Sequence, residues 1–409
     1  MFTRYIQSFP HSLNITMEKK KHNPNSHKRL KRDTFNSWSE LTLDLLNLVL
    51  ERLSFANFQR AKSVCSSWYS ASRQCVPKSQ IPWLLLFPEN NNENSCTLFN
   101  PEEKEKLYKT QDFGVEFTKS GCIATYGSWF LMQDPQYNLY IMNIFTRERI
   151  DLPSVESQLG MVKVERTMQN WFRILNYHNG SRFLFSGMGM DVRSPVFWID
   201  DKTKDYVVIW GLGSWSLVYS KKGDKLWNQI PDISDCLCMI YKDHKLYFFS
   251  CENILTIIDF SREVPQQTFV SGMLLLLHVF DIATPDYSGV VESKFVVTVT
   301  GDILKVEKIR SARSKTYNLR VFKVYSPGFL EKHELINSLG DESVLFDQGI
   351  TVLANDTNGV IRNSIYFSDY GKNTNDIFLF NLKTQKTKLL HTFDCSLGQF
   401  SRAQWFLPT

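Results

Sequence analysis

Hydrophobic positions recur at two different periods along this chain. Near the N-terminus, Leu43, Leu46, Leu50 and Leu53 follow one another at three- and four-residue spacing, which places them on one face of an α-helix. From Trp83 onward, short runs of Val, Ile, Leu, Phe and Tyr are separated by Gly, Asn and Asp, which is typical of β-strands joined by turns. The pattern therefore predicts a small helical module followed by a mainly β domain.

Three short helices are expected in the module. Leu45 and Val49 widen the leucine stripe of the first helix, Ser54 is placed to cap the second, and Ser66 or Ser67 is placed to cap the third. Three helices within about 40 residues offer too little surface to bury all these leucines against one another. The surplus leucines either pack on the β region or form a surface for the helices of a partner protein.

A weak repeat runs through the β region. Asn143, Asp259 and Asn381 each follow an apolar strand and precede a turn that contains Ser or Thr. They are 116 and 122 residues apart, and each gap is close to three units of about 40 residues, the length of a four-stranded propeller blade. We expect each side chain to cap the turn that follows its strand. The β region is then long enough for about six to eight blades of a β-propeller-like domain, with an array of two-sheet sandwiches as the alternative.

The helical stretch contains DLL at 44–46, VLERL at 49–53, VC at 64–65 and then Trp68. In this order and spacing the segments resemble an F-box, the motif that binds the Skp adaptor of cullin–RING (SCF) ubiquitin ligases. Thr42 and Ser54 stand where that family usually has proline, and we expect them to cap their helices instead. The resemblance implies an adaptor-binding set made of Leu41, Leu45, Leu46, Val49, Leu50, Leu53, Val64, Cys65 and Trp68.

The β region resembles a known family as well. Residues 127–153, 338–369 and the WFLP at 405–408 are similar to plant proteins that join an F-box to a kelch-like domain of unknown function 295. The implied domains are a leader at 1–36, an F-box at 37–82 and a propeller-like substrate-recognition domain at 83–409. The implied role is that of a non-catalytic receptor subunit of an SCF ligase, with the Skp adaptor, the cullin–RING ligase and a protein target as partners. A propeller scaffold whose F-box does not engage the adaptor, and an enzyme with a pocket on a propeller face, are the alternatives.

Charge is concentrated in the leader. Residues 1–32 hold eight of the 47 Lys and Arg residues but one of the 42 acids, so the remaining chain is close to neutral and offers no strong case for binding nucleic acid or membrane. Eight scattered cysteines and no apolar run of about 20 residues favour a soluble protein of the nucleus or cytoplasm. A nuclear import signal, an organellar presequence and a solubilising tail remain alternatives for the leader. The candidate import cluster is Lys28, Arg29, Lys31 and Arg32.

Catalytic and metal-binding motifs are weak in this sequence. The donors at Cys236, Cys238, His244 and Cys251 are of the types that bind zinc, but a Cys-x-Cys pair on one strand face is more typical of a core. We therefore expect no metal, no cofactor and no catalytic residue. The acids Asp200, Asp201 and Asp205 are expected to be solvated turn residues.

Two tryptophans are candidates for target binding. Trp210 and Trp215 flank Gly211 and Gly213, in a segment that predicts a hairpin turn. Because loops on a propeller face often expose aromatic side chains to partners, both tryptophans are expected on such a face.

Overall fold

The computed structural model describes most of the chain after its first 40 residues. The leader, including Lys28, Arg29, Lys31 and Arg32, lies outside the described residues. The described ranges are 41–75, 82–88, 94–101, 103, 107–110, 112–168, 170–177, 182–231, 233, 235–251, 254–271, 287–311, 317–325, 334–354, 360–370, 374–394 and 400–408.

Three short helices form the N-terminal module, as predicted. They are α1 (Leu43–Leu50), α2 (Phe55–Ala61) and α3 (Ser66–Ser72), and a fourth, α4 (Val115–Lys119), lies within the β region. The side chains that point between the three helices form a core of their own, because the apolar positions of each helix recur at helical spacing. That core consists of Leu46, Leu50, Phe58, Ala61, Trp68 and Ala71.

The helix starts differ from the predicted capping. Thr42 and Ser54 occupy the N-cap positions of α1 and α2, but neither side chain makes a capping hydrogen bond. Their φ angles of −62° and −61° are close to the value that a proline ring imposes, so the backbone adopts proline-like geometry without the ring. The N-cap of α3 is Cys65, so the prediction that Ser66 or Ser67 caps this helix is wrong.

The β region is built from short strands, because its apolar runs are only a few residues long between turn residues. The first fifteen strands are β1 (Trp83–Pro88), β2 (Thr97–Phe99), β3 (Leu107–Lys109), β4 (Gly121–Tyr126), β5 (Trp129–Gln133), β6 (Leu139–Asn143), β7 (Arg149–Asp151), β8 (Gln158–Leu159), β9 (Val162–Met168), β10 (Trp171–Asn176), β11 (Arg182–Met188), β12 (Val192–Ile199), β13 (Tyr206–Leu212), β14 (Ser216–Lys221) and β15 (Trp227–Ile230). The remaining strands are β16 (Cys236–Lys242), β17 (Lys245–Ser250), β18 (Leu255–Asp259), β19 (Gln266–Val270), β20 (Tyr287–Val297), β21 (Ile303–Ser311), β22 (Tyr317–Tyr325), β23 (Glu334–Leu335), β24 (Glu342–Leu345), β25 (Ile350–Leu353), β26 (Ser364–Tyr370), β27 (Thr374–Asn381), β28 (Lys386–Asp394) and β29 (Phe400–Phe406).

Six groups of mostly antiparallel strands follow one another as propeller blades. Blade 1 has the order β29-β1-β2-β3, blade 2 has β4 to β7, blade 3 has β12 to β15 with β8 on its outer edge, and blade 4 has β16 to β19. Blade 5 (β20 to β23) and blade 6 (β24 to β28) share one sheet through the parallel pairing of Val297 with Ile350. Because β29 pairs with β1, the end of the chain completes the first blade and closes the ring.

Neighbouring inner strands define the ring within the described part of the chain. Strand β29 contacts β4, β4 contacts β12, β12 contacts β16, and β16 contacts β20. Beside β25, a short 3-10 helix (Phe346–Gln348) contacts β29 and completes the circle. The prediction of a β-propeller is confirmed, with six blades in the described ranges. The three-stranded sheet β11-β10-β9, here called the inserted sheet, lies outside this ring.

The predicted repeat is present, although its period is not 40 residues. Asn143, Asp259 and Asn381 each end the strand that precedes the outermost strand of a blade, in blades 2, 4 and 6. Each gap was predicted to span three blades of about 40 residues, but it leads from one blade to the second blade after it. The first gap also contains the inserted sheet, and the second contains the long strands of blade 5, which lengthens both.

The three side chains cap their turns as predicted. The Oδ1 atom of Asn143 accepts hydrogen bonds from the backbone N–H groups of Phe145 (2.9 Å) and Thr146 (3.0 Å). Asp259 Oδ1 accepts one from the N–H of Ser261 at 2.8 Å. Asn381 Oδ1 accepts a hydrogen bond from the backbone N–H of Thr384 at 2.9 Å. These backbone donors would otherwise lack a partner in the sheet, so the repeated Asn or Asp is a structural feature of the turns.

Candidate protein-interaction surfaces

An uncovered apolar face lies on the F-box-like module. Leu45 and Leu48 of α1 are each about half exposed, at 49% and 50%, although both are leucines in a helix. The module also has an open groove between α1 and α3, and we call this groove together with the exposed apolar residues of the module the leucine face. Its exposed apolar residues are Leu43, Leu45, Leu48, Val64 and Tyr69, and the groove is lined by Leu41, Leu43, Leu46, Ser66, Ser67 and Ser70.

The structure divides the nine predicted adaptor-binding residues into three groups. Leu46, Leu50 and Trp68 are buried in the core of the module, and Leu46 also lines the groove. Leu50 and Trp68 support the module from inside, and their role in adaptor binding stays a prediction. Exposed Leu43, Leu48 and Tyr69 were not among the predicted residues. Leucines almost surround α1, and the helical period alone does not say which of them face inward. Of the other predicted residues, Leu45 and Val64 are exposed, and Leu41, Val49, Leu53 and Cys65 are half-buried.

Helix α2 attaches the module to the propeller. Phe55 and Ala56 are buried in the core shared by blades 1, 2 and 6, whereas other residues of α2 point into the module. The Phe55 ring lies 5.6 Å from that of Trp83 in a T-shaped contact and 5.1 Å from that of Phe145, measured between centroids. Trp83 begins β1, and Phe145 lies in the turn capped by Asn143. The leucine surplus is therefore not used on the propeller, because this contact is made by α2.

A polar contact accompanies Phe55. Arg60 of α2 donates two hydrogen bonds to the Glu103 carboxylate, at 3.0 and 3.3 Å, and a third to the hydroxyl of Tyr108. Burial, together with the hydrogen bond to Glu103, raises the pKa of Tyr108 to about 12, so the phenol stays protonated and donates to that carboxylate. The Tyr108 ring also stacks on Trp83 at 5.9 Å, so the apolar and polar contacts form one continuous interface.

The two candidate tryptophans have different environments. Trp210 is fully buried within β13 and packs edge-to-face on Trp227 at 5.4 Å, so its prediction as a target-binding residue is wrong. All seven residues of β13 are buried, which leaves no exposed position for a tryptophan. Trp215 is 40% exposed in the turn between β13 and β14 and remains a candidate.

Trp215 and the F-box lie at opposite ends of the blades. Because neighbouring strands of a blade are antiparallel, the turn between its second and third strands lies at the end opposite to the turn between its third and fourth. Trp215 occupies the first kind of turn in blade 3, and Phe145, which contacts the F-box, occupies the second kind in blade 2. Within the described residues, the end of the propeller away from the F-box is therefore not covered by the helical module, and we call it the free end.

An exposed apolar cluster lies on the inserted sheet. Trp171 pairs across the strands with both Met168 and Met188, and all three are exposed, with Met188 at 74%. The other side of the sheet packs on blades 2 and 3 through Phe172 and Ile174. The sequence predicted no role for this cluster. The sequence feature that could have revealed it is the Met-x-x-Trp spacing at 168–171, because Met168 and Trp171 pair across adjacent strands and lie on one face of the sheet.

The candidate zinc donors differ in burial: Cys236 is buried, Cys238 is half-buried, and His244 and Cys251 are exposed. Burial raises the pKa of Cys236 to about 12 and raises that of Cys238 as well, as for cysteines that pack as small core residues. His244 packs edge-to-face on Trp198 at 5.0 Å. Within the described ranges, no group of three or more His, Cys, Asp or Glu side chains is arranged to hold a metal ion.

The acid cluster belongs to a turn. The Oδ1 atom of Asp200 accepts hydrogen bonds from the N–H groups of Lys202 (2.8 Å) and Thr203 (2.7 Å), as Asn143 does in blade 2. Asp205 pairs with Lys222 at 3.0 Å, and Asp201 accepts a hydrogen bond from a tryptophan indole. Each acid thus has a structural partner, and the prediction that they are turn residues is confirmed. No helix in the described part of the chain is long and apolar enough to cross a membrane.

A three-helix module with an open leucine face, fixed to a six-bladed propeller, defines the class of F-box proteins with a propeller domain. Comparison with known proteins agrees with this class. The family model of the F-box domain matches residues 38–80, and that of the KIB1-4 beta-propeller matches residues 98–381. The chain therefore belongs to the family of F-box proteins with a KIB1-4 beta-propeller, which confirms the resemblance seen in the sequence.

Proteins of similar sequence include several from Arabidopsis thaliana. The chain is 58% identical over 400 residues to "Putative F-box protein At4g22180", covering 95% of this chain and 98% of the relative. It is 40% identical over 405 residues to "F-box protein At1g69090", covering 91% of this chain and 92% of the relative. Among solved structures, the Cps50 (Swd1) beta-propeller domain of Myceliophteria thermophila matches at a TM-score of 0.31 with 10% identity, covering 67% of this chain and 86% of that one.

Proposed function

We propose that this protein is a substrate receptor of an SCF-type ubiquitin ligase, which binds the Skp adaptor through its F-box and a protein target through its propeller. One observation carries the proposal. The F-box folds with its own core and attaches to the propeller through α2, yet the described part of the chain leaves the leucine face exposed. A face of this kind suits the helices of a partner, which bury it by helix-in-groove packing.

The receptor acts by proximity and makes or breaks no bond itself. Binding a target at one end of the molecule and the adaptor at the other raises the effective concentration of the target's lysines near the charged conjugating enzyme. The free end of the propeller, which carries Trp215, is the candidate target-binding side.

Co-purification tests the proposal directly. The full chain expressed together with a Skp adaptor should elute with it as one complex by size exclusion, and the complex should recruit the cullin–RING ligase. A chain that stays folded but elutes alone would instead support the alternative, a propeller scaffold with a non-engaging F-box.

A further inference from the structure

We propose that Phe55 and Arg60 are positioning residues, which hold the F-box in one orientation on the propeller and thereby determine which lysines receive ubiquitin. This inference rests on the proposed receptor function. Neither residue lies on the leucine face, and neither was predicted to have a role. Both belong to α2, the helix whose two sides pack into different cores.

Phe55 provides the apolar part of the attachment. Only 2% of its surface is exposed, and its ring contacts Trp83 of blade 1 and Phe145 of blade 2. Contact with two blades at once resists sliding of the helix along either one. The blade 2 contact is itself fixed, because Asn143 holds the backbone N–H of Phe145 at 2.9 Å.

Arg60 provides the directional part. Its guanidinium reaches Asn57 Oδ1 on its own helix at 2.8 Å and both oxygens of Glu103 on the propeller. A planar guanidinium that binds a carboxylate through two parallel hydrogen bonds fixes direction as well as distance. An aromatic contact alone would allow the F-box to rotate about Phe55, and the Arg60 contact prevents that rotation.

The consequence concerns the geometry of ubiquitin transfer. If the F-box and the propeller move as one body, a lysine on the propeller or on its target stays at a nearly constant distance from the conjugating enzyme. Loss of the α2 contact would let the propeller swing and would present many lysines in turn. The choice of modified lysines is therefore expected to depend on Phe55 and Arg60, while adaptor affinity is not.

The test uses the full chain bound to the Skp adaptor in a reconstituted cullin–RING ligase. Variants are Phe55→Ala, Arg60→Glu and the charge-swapped double variant Arg60→Glu with Glu103→Arg. A matched control is Arg262→Glu, which reverses an exposed cation on the propeller and leaves every lysine in place. Three quantities are measured: adaptor affinity, hydrogen exchange of the α2 backbone amides, and the self-ubiquitinated lysines mapped by mass spectrometry.

We expect Phe55→Ala and Arg60→Glu to keep wild-type adaptor affinity, to lose exchange protection in α2, and to spread ubiquitin over more lysines. The double variant should restore the wild-type lysine pattern, and Arg262→Glu should match wild type throughout. An unchanged lysine pattern in a variant that has lost α2 protection would overturn the positioning role, as would unchanged α2 protection in both single variants. If wild type itself failed to bind the adaptor, the proposed function would be wrong, and α2 exchange would still decide whether these residues fix the F-box on the propeller.

Discussion

Replacing both Leu45 and Leu48 by alanine should weaken adaptor binding without unfolding the F-box. Each side chain is about half exposed in the free chain, so docking has about half of its surface left to bury. Full burial of a leucine contributes about 1.5–3 kcal/mol, so the remaining half is worth about 1 kcal/mol per residue. The double variant should therefore lose about 2 kcal/mol of binding free energy, or about thirtyfold in affinity.

The matched comparison uses the buried leucines of the same helix. Leu46 is 2% exposed and Leu50 is fully buried in the core of the module, so alanine at either position should cost about 2–5 kcal/mol of stability. Those variants would lose adaptor binding by unfolding, and they say nothing about the surface. Leu226→Ala, at an exposed leucine on the propeller, controls for general effects of removing an exposed leucine.

Adaptor titration by calorimetry and thermal melting by circular dichroism, on all of these variants, separate the two effects. Wild-type affinity in the Leu45→Ala, Leu48→Ala double variant would refute the assignment of the adaptor to the leucine face. A lowered melting temperature in that variant would show instead that these side chains support the module.

Three further predictions concern the propeller. Trp210→Ala should destabilise the fold by about 3–5 kcal/mol, because the side chain is fully buried. Trp215→Ala should leave the melting temperature unchanged and reduce target capture from an extract. Equal melting temperatures of the two variants would contradict the burial argument. Asn143→Ala should lower the free energy of unfolding, measured in denaturant, by about 1–3 kcal/mol, and Asp259→Ala should lower it by less. Buried Asn143 accepts two backbone hydrogen bonds, whereas Asp259 accepts one. A larger loss in Asp259→Ala than in Asn143→Ala would contradict this ranking. Hydrogen bonds from the N–H groups of Thr203 and then Lys202 lower the pKa of Asp200, so its contribution to stability is present above its unfolded pKa of about 4 and is lost as pH falls through the lower folded value. Asp200→Asn should keep the turn and reduce that acid dependence in melts between about pH 5 and pH 2, and an identical pH profile would argue against the assignment.

Local patterns in the sequence determined the elements and the family. Apolar residues at helical spacing and candidate capping residues are sufficient to predict three short helices, because the period reflects one face of a helix. Short apolar runs predict strands, because the turn residues that bound each run mark where a strand ends. The turn-capping Asn143 and Asn381 were also readable, since an Asx side chain bonds backbone groups only two or three residues away.

Tertiary structure alone decided which leucines of α1 are buried. Leu46 faces the core and Leu45 faces solvent, although they are neighbours of the same type. Their difference depends on where α3 and α2 pack, and those contacts are not encoded in the local period. The same holds for Trp210 and Trp215, of which one lies in a strand packed on both faces and the other in a turn.

Ring closure and the attachment of the F-box also required the three-dimensional structure. Trp83 pairs with Phe406, more than 300 residues away along the chain, and Arg60 reaches Glu103 across the boundary between the module and the propeller. Neither contact leaves a periodic signal, because the partners share no local segment. A sequence reports the conformations that each segment favours, whereas long-range contacts depend on how all the segments pack together, and here that packing decides the blade count and the orientation of the F-box.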